Sequence, residues 1–381
     1  MPLSFLHKID RWIGGFLFYI LAFPARALAR ILPPSHHTKP RFVFLKLKGG
    51  GSLMIALPSL LGLRRQFPDA EFTLVCAREA EIYARLTGVF DHYIVIDDSS
   101  MPRLIITGLR AFGACFHTSL CIDLEPNSWL ASLFTMLTCA SQRIGFVKPP
   151  HASRMLAYST AIPLNARDPI HVYYDKICKV LDAIPALPQE CRETVSALLP
   201  KLSVPKTQIK AIALAAFTSD FARERMMPPQ TWCALLQRAY GNLPLNILIL
   251  GAACNKKDAQ RLGEEIKREL PACNVTNLAG TYSLAESVAR MTMCDEVWAI
   301  DSGLLHIARL LGVPNRSFWG PTMPLQRLRP LDGLSEQISY RPFLCSPCVQ
   351  TTSAPPCRGH NLCMISMAEE APNLHPSWVK K

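Results

Sequence analysis

From Arg41 onward the chain alternates short runs of Val, Ile, Leu and Phe with longer segments whose apolar residues recur at helical spacing. RFVFLKL (41–47) reads as a strand, KGGGS as a turn and LMIALPSLLGLRRQF as a helix. EFTLVCA, DHYIVID, TSLCIDLEP and QRIGFV read as further strands, separated by the helices EAEIYARLTG, LIITGLRAFG and WLASLFTMLTCA. Strands with nearly continuous apolar runs are buried on both faces, and their alternation with helices builds a parallel sheet covered on either side. IPALPQECRETVSALLPKLSVPKTQ is rich in proline and has no clean period; after it the alternation restarts. IKAIALAAF, LNILILG, CNVTNLAG, EVWAID and RSFWG are the second set of strands, with TWCALLQRAYG, KKDAQRLGEEIKREL, SLAESVARMTMC and LLHIARLLG as helices. The predicted fold class is α/β, with two doubly wound, Rossmann-like domains at 41–195 and 205–381.

The first forty residues depart from this pattern. KIDRWIGGFLFYILAFPARALARILPP holds about a dozen consecutive apolar residues between Arg11 and Arg26, short of the ~20 that span a bilayer. Arg26 and Arg30 follow four apart on one helical face, which predicts an interfacial helix with its arginines toward anionic headgroups. Residues 1–40 are thus read as a membrane-associating helix and linker. The competing reading is a secretory signal, because Lys8 and Arg11 precede the run and Ala-x-Ala occurs at Ala25–Ala27. The 14 cysteines, mostly isolated in apolar segments such as those around Cys76, Cys115, Cys121, Cys139 and Cys178, are placed like reduced core thiols. That placement favours a cytoplasmic protein peripherally associated with the inner membrane.

The length of 381 residues suits two domains, and a net charge of +12, from 41 Lys and Arg against 29 Asp and Glu, suits an anionic partner. The basic residues are scattered, without a Lys/Arg block or an aromatic-basic RNA signature, so nucleic acid is excluded as the partner.

Ligands of doubly wound sheets bind beyond the carboxyl ends of the strands, and three turns of the second half lie there. In AIDSGLLHIARLLGVPNRSFWGPTMP (299–324), Asp301 or Ser302 would cap the helix starting near Gly303. The free N–H groups of such a start favour an anion by ~0.3–1 kcal/mol, or ~2 when partly buried. The second turn runs from Gly320 to Thr322. The third, AAFTSDFARERMMPP, sets Thr218 and Ser219 beside Arg223 and Arg225, a hydroxyl and guanidinium set suited to phosphate. Taken singly, each has a plain structural reading as a cap, a turn or a solvated arginine.

Together these residues resemble glycosyltransferase family 9, the lipopolysaccharide heptosyltransferase family. LAGTYSLAESVARMTMCDEVWAIDSGLLHIARLLGVPNRSFWGPTMP follows its pattern of Leu-x-Gly, Ser-Leu, Asp-Ser/Thr-Gly-x-x-His, Gly-Val-Pro and Gly-Pro-Thr. FLKLKGGGSLMIALPSLLGLRRQFPDAEFTLV and DLEPNSWLASLFTMLTCASQRIGF extend the likeness over nearly everything after the linker. The resemblance implies a GT-B fold, in which two Rossmann-like domains face each other. It implies inverting, metal-independent transfer of a heptose or related sugar from a nucleotide-diphosphate donor, such as ADP-heptose, to a lipid-linked oligosaccharide core. By position, Asp301 would contact the donor sugar, and N–H groups around Ser302, Gly303 and Leu304 would hold the diphosphate. Arg225 replaces a family lysine on the same phosphates, Leu278 to Thr281 with Gly280 would sit near the base, and Gly320 and Thr322 close the donor side. His306 belongs to the motif, although a His on an inner helix face is commonly a satisfied core residue.

Two departures matter. The family carries Gly-Asp after the first strand, its usual candidate base, and here Ser52 stands in that place. A hydroxyl is no base at neutral pH, and a general base contributes roughly 10²–10⁴ in rate. Glu125 is the expected substitute and Asp123 the reserve, both leaving a strand of the same domain, with turn or cap roles as their alternatives. Gly49, Gly50 and Gly51 would let backbone approach an acceptor phosphate. LILGAACN lacks the ribose-binding carboxylate that some relatives carry. A non-catalytic nucleotide-sugar or glycan binder that has lost its base is the rival reading. A nicotinamide or flavin enzyme is disfavoured because KGGGS lacks the Gly-x-Gly-x-x-Gly order and no acidic residue ends EFTLVCA. Finally, Cys345, Cys348, Cys357 and Cys363, with His360 between, have spacing suited to a structural zinc; paired disulfides and free thiols are equally open.

Overall fold

The computed structural model describes residues 9–32, 38–165, 167–203, 208–218, 222–349, 355–369 and 373–374. The chain divides into two compact units, Met1–Leu187 and Pro188–Lys381. The first begins with a π-helical turn at Asp10–Gly14 and helix α1 (Gly15–Ile31). It continues with β1 (Arg41–Leu45), α2 (Gly50–Gln66), β2 (Glu71–Ala77), α3 (Arg78–Arg85), β3 (His92–Ile96) and α4 (Met101–Cys115). Then come β4 (Leu120–Asp123), α5 (Trp129–Leu137), β5 (Gln142–Val147), a 3-10 segment at Pro149–Ala157, β6 (Thr160–Pro163) and α6 (Ile170–Val180). All six strands are parallel, in the order β3-β2-β1-β4-β5-β6. The winding direction reverses between β1 and β4, so the loops that follow these two strands flank the reversal.

The second unit opens with α7 (Pro188–Ala197), β7 (Lys210–Ala215), α8 (Pro229–Tyr240), β8 (Leu245–Ile249), α9 (Lys256–Glu269) and β9 (Asn274–Asn277). It returns through α10 (Leu284–Met291), β10 (Glu296–Ile300), α11 (Gly303–Leu311), β11 (Asn315–Trp319), α12 (Pro324–Arg327) and β12 (Glu336–Tyr340). Helix α13 (Leu362–Ile365) and the two-residue β13 (Asn373–Leu374) close it. The order is β13-β12-β11-β10-β7-β8-β9, parallel except for β13, and here the reversal lies between β7 and β10. At the centre of its core Phe318 packs edge to face on Trp232 and tilted against Trp298. The fold is the α/β plan expected, two doubly wound units in one chain.

Besides the short α12, α13 and β13, four elements escape the hydrophobic pattern. β6 is a four-residue edge strand ending in proline, and β12 is largely half-buried, so neither shows a continuous apolar run. α6 buries Tyr174, Ile177 and Cys178, and α7 only Cys191 and Val195, stripes too narrow to read as periodic. The division between Leu187 and Pro188 falls inside the proline-rich stretch read as the boundary, and it gives α7 to the second unit.

The N-terminal helix is longer than its apolar run suggested. Asp10–Ile31 forms 22 helical residues, continuing through Pro24, long and apolar enough to cross a membrane by length and composition. One side is packed into the first unit: Phe18, Ala22 and Ala25 are buried against Trp129, Leu133 and Met136. The carboxylate of Asp10 accepts from Ser128 Oγ at 2.7 Å and from the amides of Leu130 at 2.9 Å and Trp129 at 3.2 Å, capping α5. At Gly14 a Cβ would come within 2.9 Å of Leu130 Cγ, which is why the helix can approach α5 so closely.

Candidate functional site

The turns after β7 and β10 flank the second sheet's reversal, and each contributes a charge. Arg225 Nη1 donates to the Asp301 carbonyl at 2.5 Å and lies 3.5 Å from Oδ2. Arg327 Nε lies 3.7 Å from the same oxygen, and His306 Nε2 3.5 Å from Oδ1. Burial alone would raise the Asp301 pKa, but Arg327, the His306 hydrogen bond and Arg225 outweigh it and hold the carboxyl well below its usual range. Burial also lowers the pKa of His306 against the pull of Asp301, so the imidazole is neutral at pH 7. Two guanidinium groups against one carboxylate leave the cluster with a net positive charge.

The start of α11 adds donors. Ser302 is the N-cap residue, yet its side chain makes no cap hydrogen bond. Ser302 Oγ, Thr322 Oγ1 and Asp301 Oδ2 are buried without a hydrogen-bond partner, and Thr322 is only 3% exposed. Buried polar atoms are nearly always satisfied, so unspent hydroxyls beside net positive charge and a free helix N-terminus are an arrangement suited to an anion.

Other predicted donor residues hold the loops together. Asn255 Nδ2 donates to the Thr218 carbonyl at 3.0 Å, tying the loop after β7 to that after β8. Leu278 N–H donates to Ile249 O at 2.9 Å and Gly280 N–H to Gly251 O at 3.0 Å, which joins the loop after β9. Gly280 has φ +69°, and a Cβ there would stand 2.7 Å from Ala253 Cα, so only glycine fits. Ser302, Gly303 and Leu304 are half-buried. Ser219 lies outside the described residues.

Three expectations change. Asp301 is 4% exposed at its side chain and faces arginines and His306, so it orients them instead of presenting itself to a sugar. His306 is a buried core partner of that carboxylate. Gly320 is required by packing, since a Cβ would lie 2.8 Å from Cys363 Sγ and 2.9 Å from Met364 Sδ. The sequence reading missed Arg327, whose signal was an arginine in the short proline-started helix just after Gly-Pro-Thr.

In the first unit the reversal is bridged by an ion pair. Lys46 Nζ and the Lys48 N–H both donate to Glu125 Oε1 at 3.0 Å. Burial acts to lower the Lys46 pKa, but Glu125 outweighs it and the pKa is raised. The Glu125 side chain is 15% exposed, and no described hydrogen bond uses its Oε2. Asp123, the reserve base, is fully buried: it accepts from Tyr158 Oη at 2.7 Å and from Glu125 N–H at 2.8 Å, and Arg154 Nη2 stands 3.4 Å away. Burial pushes its carboxyl up to about 6 despite Arg154 and Tyr158. Asp123 therefore cannot meet an acceptor and instead positions Glu125, helped by Arg154, which donates to the carbonyls of Glu125 at 2.8 Å and Pro126.

Ser52 Oγ donates to the Gly49 carbonyl at 2.6 Å, closing a turn. Gly49, at φ +84°, starts α2, and Gly50 and Gly51 are its first residues. A Cβ on Gly50 would overlap the Tyr83 ring at 2.0 Å, so this glycine serves packing onto α3 instead of the expected approach to an acceptor.

The zinc expectation for Cys345, Cys348, Cys357 and Cys363 has no support: among the described residues no group of three or more His, Cys, Asp or Glu is arranged to hold a metal. All 14 cysteines are free, which also removes the disulfide reading. Burial, then the neighbouring Cys348, Cys345 and Cys357, pushes the Cys363 thiol up to about 12.

A family model described as glycosyltransferase family 9 (heptosyltransferase) matches residues 118–357. Lipooligosaccharide heptosyltransferase 2 of Haemophilus influenzae is 41% identical over 68 residues, 16% of this chain and 19% of that protein, so the match spans about a fifth of that relative's length. Among solved structures, the glycosyl transferase family 9 protein of Veillonella parvula superposes with a TM-score of 0.59 at 18% identity, over 80% of this chain and 86% of its own. The E. coli heptosyltransferase WaaC, solved with ADP, gives 0.57 at 18% identity, over 79% and 93%. At such identities these structures share the fold, and the family model carries the kinship.

Proposed function

Since this chain belongs to glycosyltransferase family 9, we propose that it transfers a heptose from an ADP-heptose-like donor to a lipid-linked oligosaccharide such as lipopolysaccharide core, at the cytoplasmic surface of the inner membrane. In this reading residues 1–40 associate with the membrane, 41–195 serve the acceptor and 205–381 the nucleotide sugar. The observation that carries it is the cationic cluster of Arg225 and Arg327, oriented by buried Asp301 beside the unspent hydroxyls of Ser302 and Thr322. The names of the relatives, two heptosyltransferases of which one was solved with ADP, support the sugar and the nucleotide.

The chemistry is an inverting displacement that needs no metal. The acceptor hydroxyl oxygen forms a bond to the anomeric carbon, the bond from that carbon to the diphosphate breaks, and a nucleoside diphosphate leaves. Arg225, Arg327 and the first amides of α11 take up the charge that develops on it, already oriented before the reaction begins. Glu125 accepts the hydroxyl proton through Oε2, while Lys46 and the Lys48 amide hold Oε1 and Asp123 and Arg154 fix the backbone.

The test is transfer from ADP-heptose to a lipid-linked acceptor, with donor binding followed separately as a thermal shift. Glu125→Gln should lose about 10²–10⁴ in rate and retain the ADP-induced shift, while Ser52→Ala stays within about threefold. Donor binding without turnover by the wild-type chain would instead support the non-catalytic reading, which the missing aspartate at Ser52 favours. A larger shift with UDP- or GDP-sugars than with ADP-sugars would reassign the nucleotide.

A further inference from the structure

Two helices of the first unit carry apolar stripes that its core does not use. On α1 the inward side is buried, whereas Phe16, Ile20, Phe23 and Ile31 on and beside the outer side, with Trp12 of the preceding π-helical turn, are 54–80% exposed. A helix apolar all round belongs either inside a core or against lipid, and this one is covered on one side only. On α4, Ala111 and Cys115 enter the core, while Ile105, Ile106 and Leu109 are 49–65% exposed.

Both stripes lie on one side of the sheet. α4 and α5 share a core cluster with Val43, Leu45 and Cys121, and α1 packs on α5, Val147 and Ala161. Val43, Cys121 and Arg143 are paired across the strands, and Val147 is an even step from Arg143, so all point to the same face. Phe146, pointing the other way, meets Tyr173 and Tyr174 of α6.

Charge selects the occupant. Arg11, Arg26 and Arg30 accompany the first stripe, and Arg103 and Arg110 the second; Arg103 shares Asp97 at 3.6 Å yet is 68% exposed. α4 contains no acidic residue, and Asp10, the acid beside α1, is turned inward as the cap of α5. A second copy of this face would bring like charges together, whereas an anionic bilayer offers both an apolar layer and negative headgroups.

We infer that this side of the first unit docks on an anionic lipid bilayer, with α1 lying in the plane of the interface and α4 as a second contact. Crossing the bilayer would strip Trp129, Leu133 and Met136 of their cover and remove the cap of α5. The inference deepens the proposed lipid-linked acceptor by naming the surface that reaches it; the test contains neither donor nor acceptor, so its failure counts against docking alone.

The experiment is co-sedimentation of the full chain with vesicles of phosphatidylglycerol in phosphatidylethanolamine, and with pure phosphatidylcholine vesicles. Binding is expected to the anionic vesicles and to fall with salt. Phe16→Asp with Phe23→Asp should weaken it at least tenfold, Ile105→Asp with Leu109→Asp about fivefold, and Arg26→Ala with Arg30→Ala about twenty-five-fold, at about a fivefold loss per arginine. Unchanged melting of these variants shows that the fold is intact. Equal binding to phosphatidylcholine, or wild-type binding by either apolar pair, overturns the two-helix surface. Retention in membranes after alkaline carbonate extraction overturns in-plane docking, and a dimer that the aspartate variants dissolve, without vesicle binding, assigns the face to a second copy.

Discussion

Asp301→Asn removes one negative charge from a buried cluster while keeping its shape. In the folded chain Arg225 and Arg327 then face a neutral amide, with side chains only 12% and 16% exposed. Breaking a fully buried pair costs about 3–5 kcal/mol; the residual exposure of both arginines brings the expectation down to about 2–3 kcal/mol. At about 2–4 °C per kcal/mol for a unit of this size, the melting temperature should fall by about 4–12 °C at pH 7. The sign of the pH dependence follows from the depressed pKa of Asp301. Its stabilisation is present above the ordinary carboxylate value of 3.8 and is lost as pH falls below it toward the folded value. The gap between wild type and variant should therefore be full at pH 7 and narrow below about pH 4. ADP should restore more stability to the variant than it adds to the wild type, because the diphosphate supplies the missing negative charge. Differential scanning fluorimetry over pH, with and without ADP, reads all three. A variant melting within about 2 °C of wild type at pH 7 refutes the view that Asp301 orients buried arginines.

Three further outcomes follow from the geometry. Arg327→Met should weaken ADP binding at least tenfold by calorimetry, as expected for a charged donor to phosphate; unchanged affinity removes Arg327 from the site. Gly280→Ala must move the Ala253 backbone and adopt a positive φ, costing about 1–3 kcal/mol in urea unfolding; a neutral result means that the loops after β8 and β9 are not held as described. Arg154→Leu leaves Asp123 buried without its cation, so the first unit should lose about 3–5 kcal/mol, and wild-type unfolding would show that this pair contributes nothing.

The alternation of short apolar strands with helices was enough to read two doubly wound units, because strands buried on both faces are built mainly of apolar residues. It was equally enough to place the Asp-Ser-Gly corner, which ends a buried strand and begins a helix whatever surrounds it. Roles within the site were another matter. Asp123 and Glu125 are two residues apart on one strand end, and nothing local distinguishes them. Arg154, some thirty residues away and brought in by β5 and β6, makes the first a buried anchor and leaves the second at the edge. Gly50 and Gly320 look like ligand glycines in a string of letters, and only the Tyr83 ring and the Cys363 sulfur reveal them as packing contacts. Composition marks α1 as apolar, but which of its sides meets protein depends on where α5 comes to lie. Local pattern reports what a segment must bury; which partner covers it, and which charge is left exposed, is decided by contacts between residues far apart along the chain.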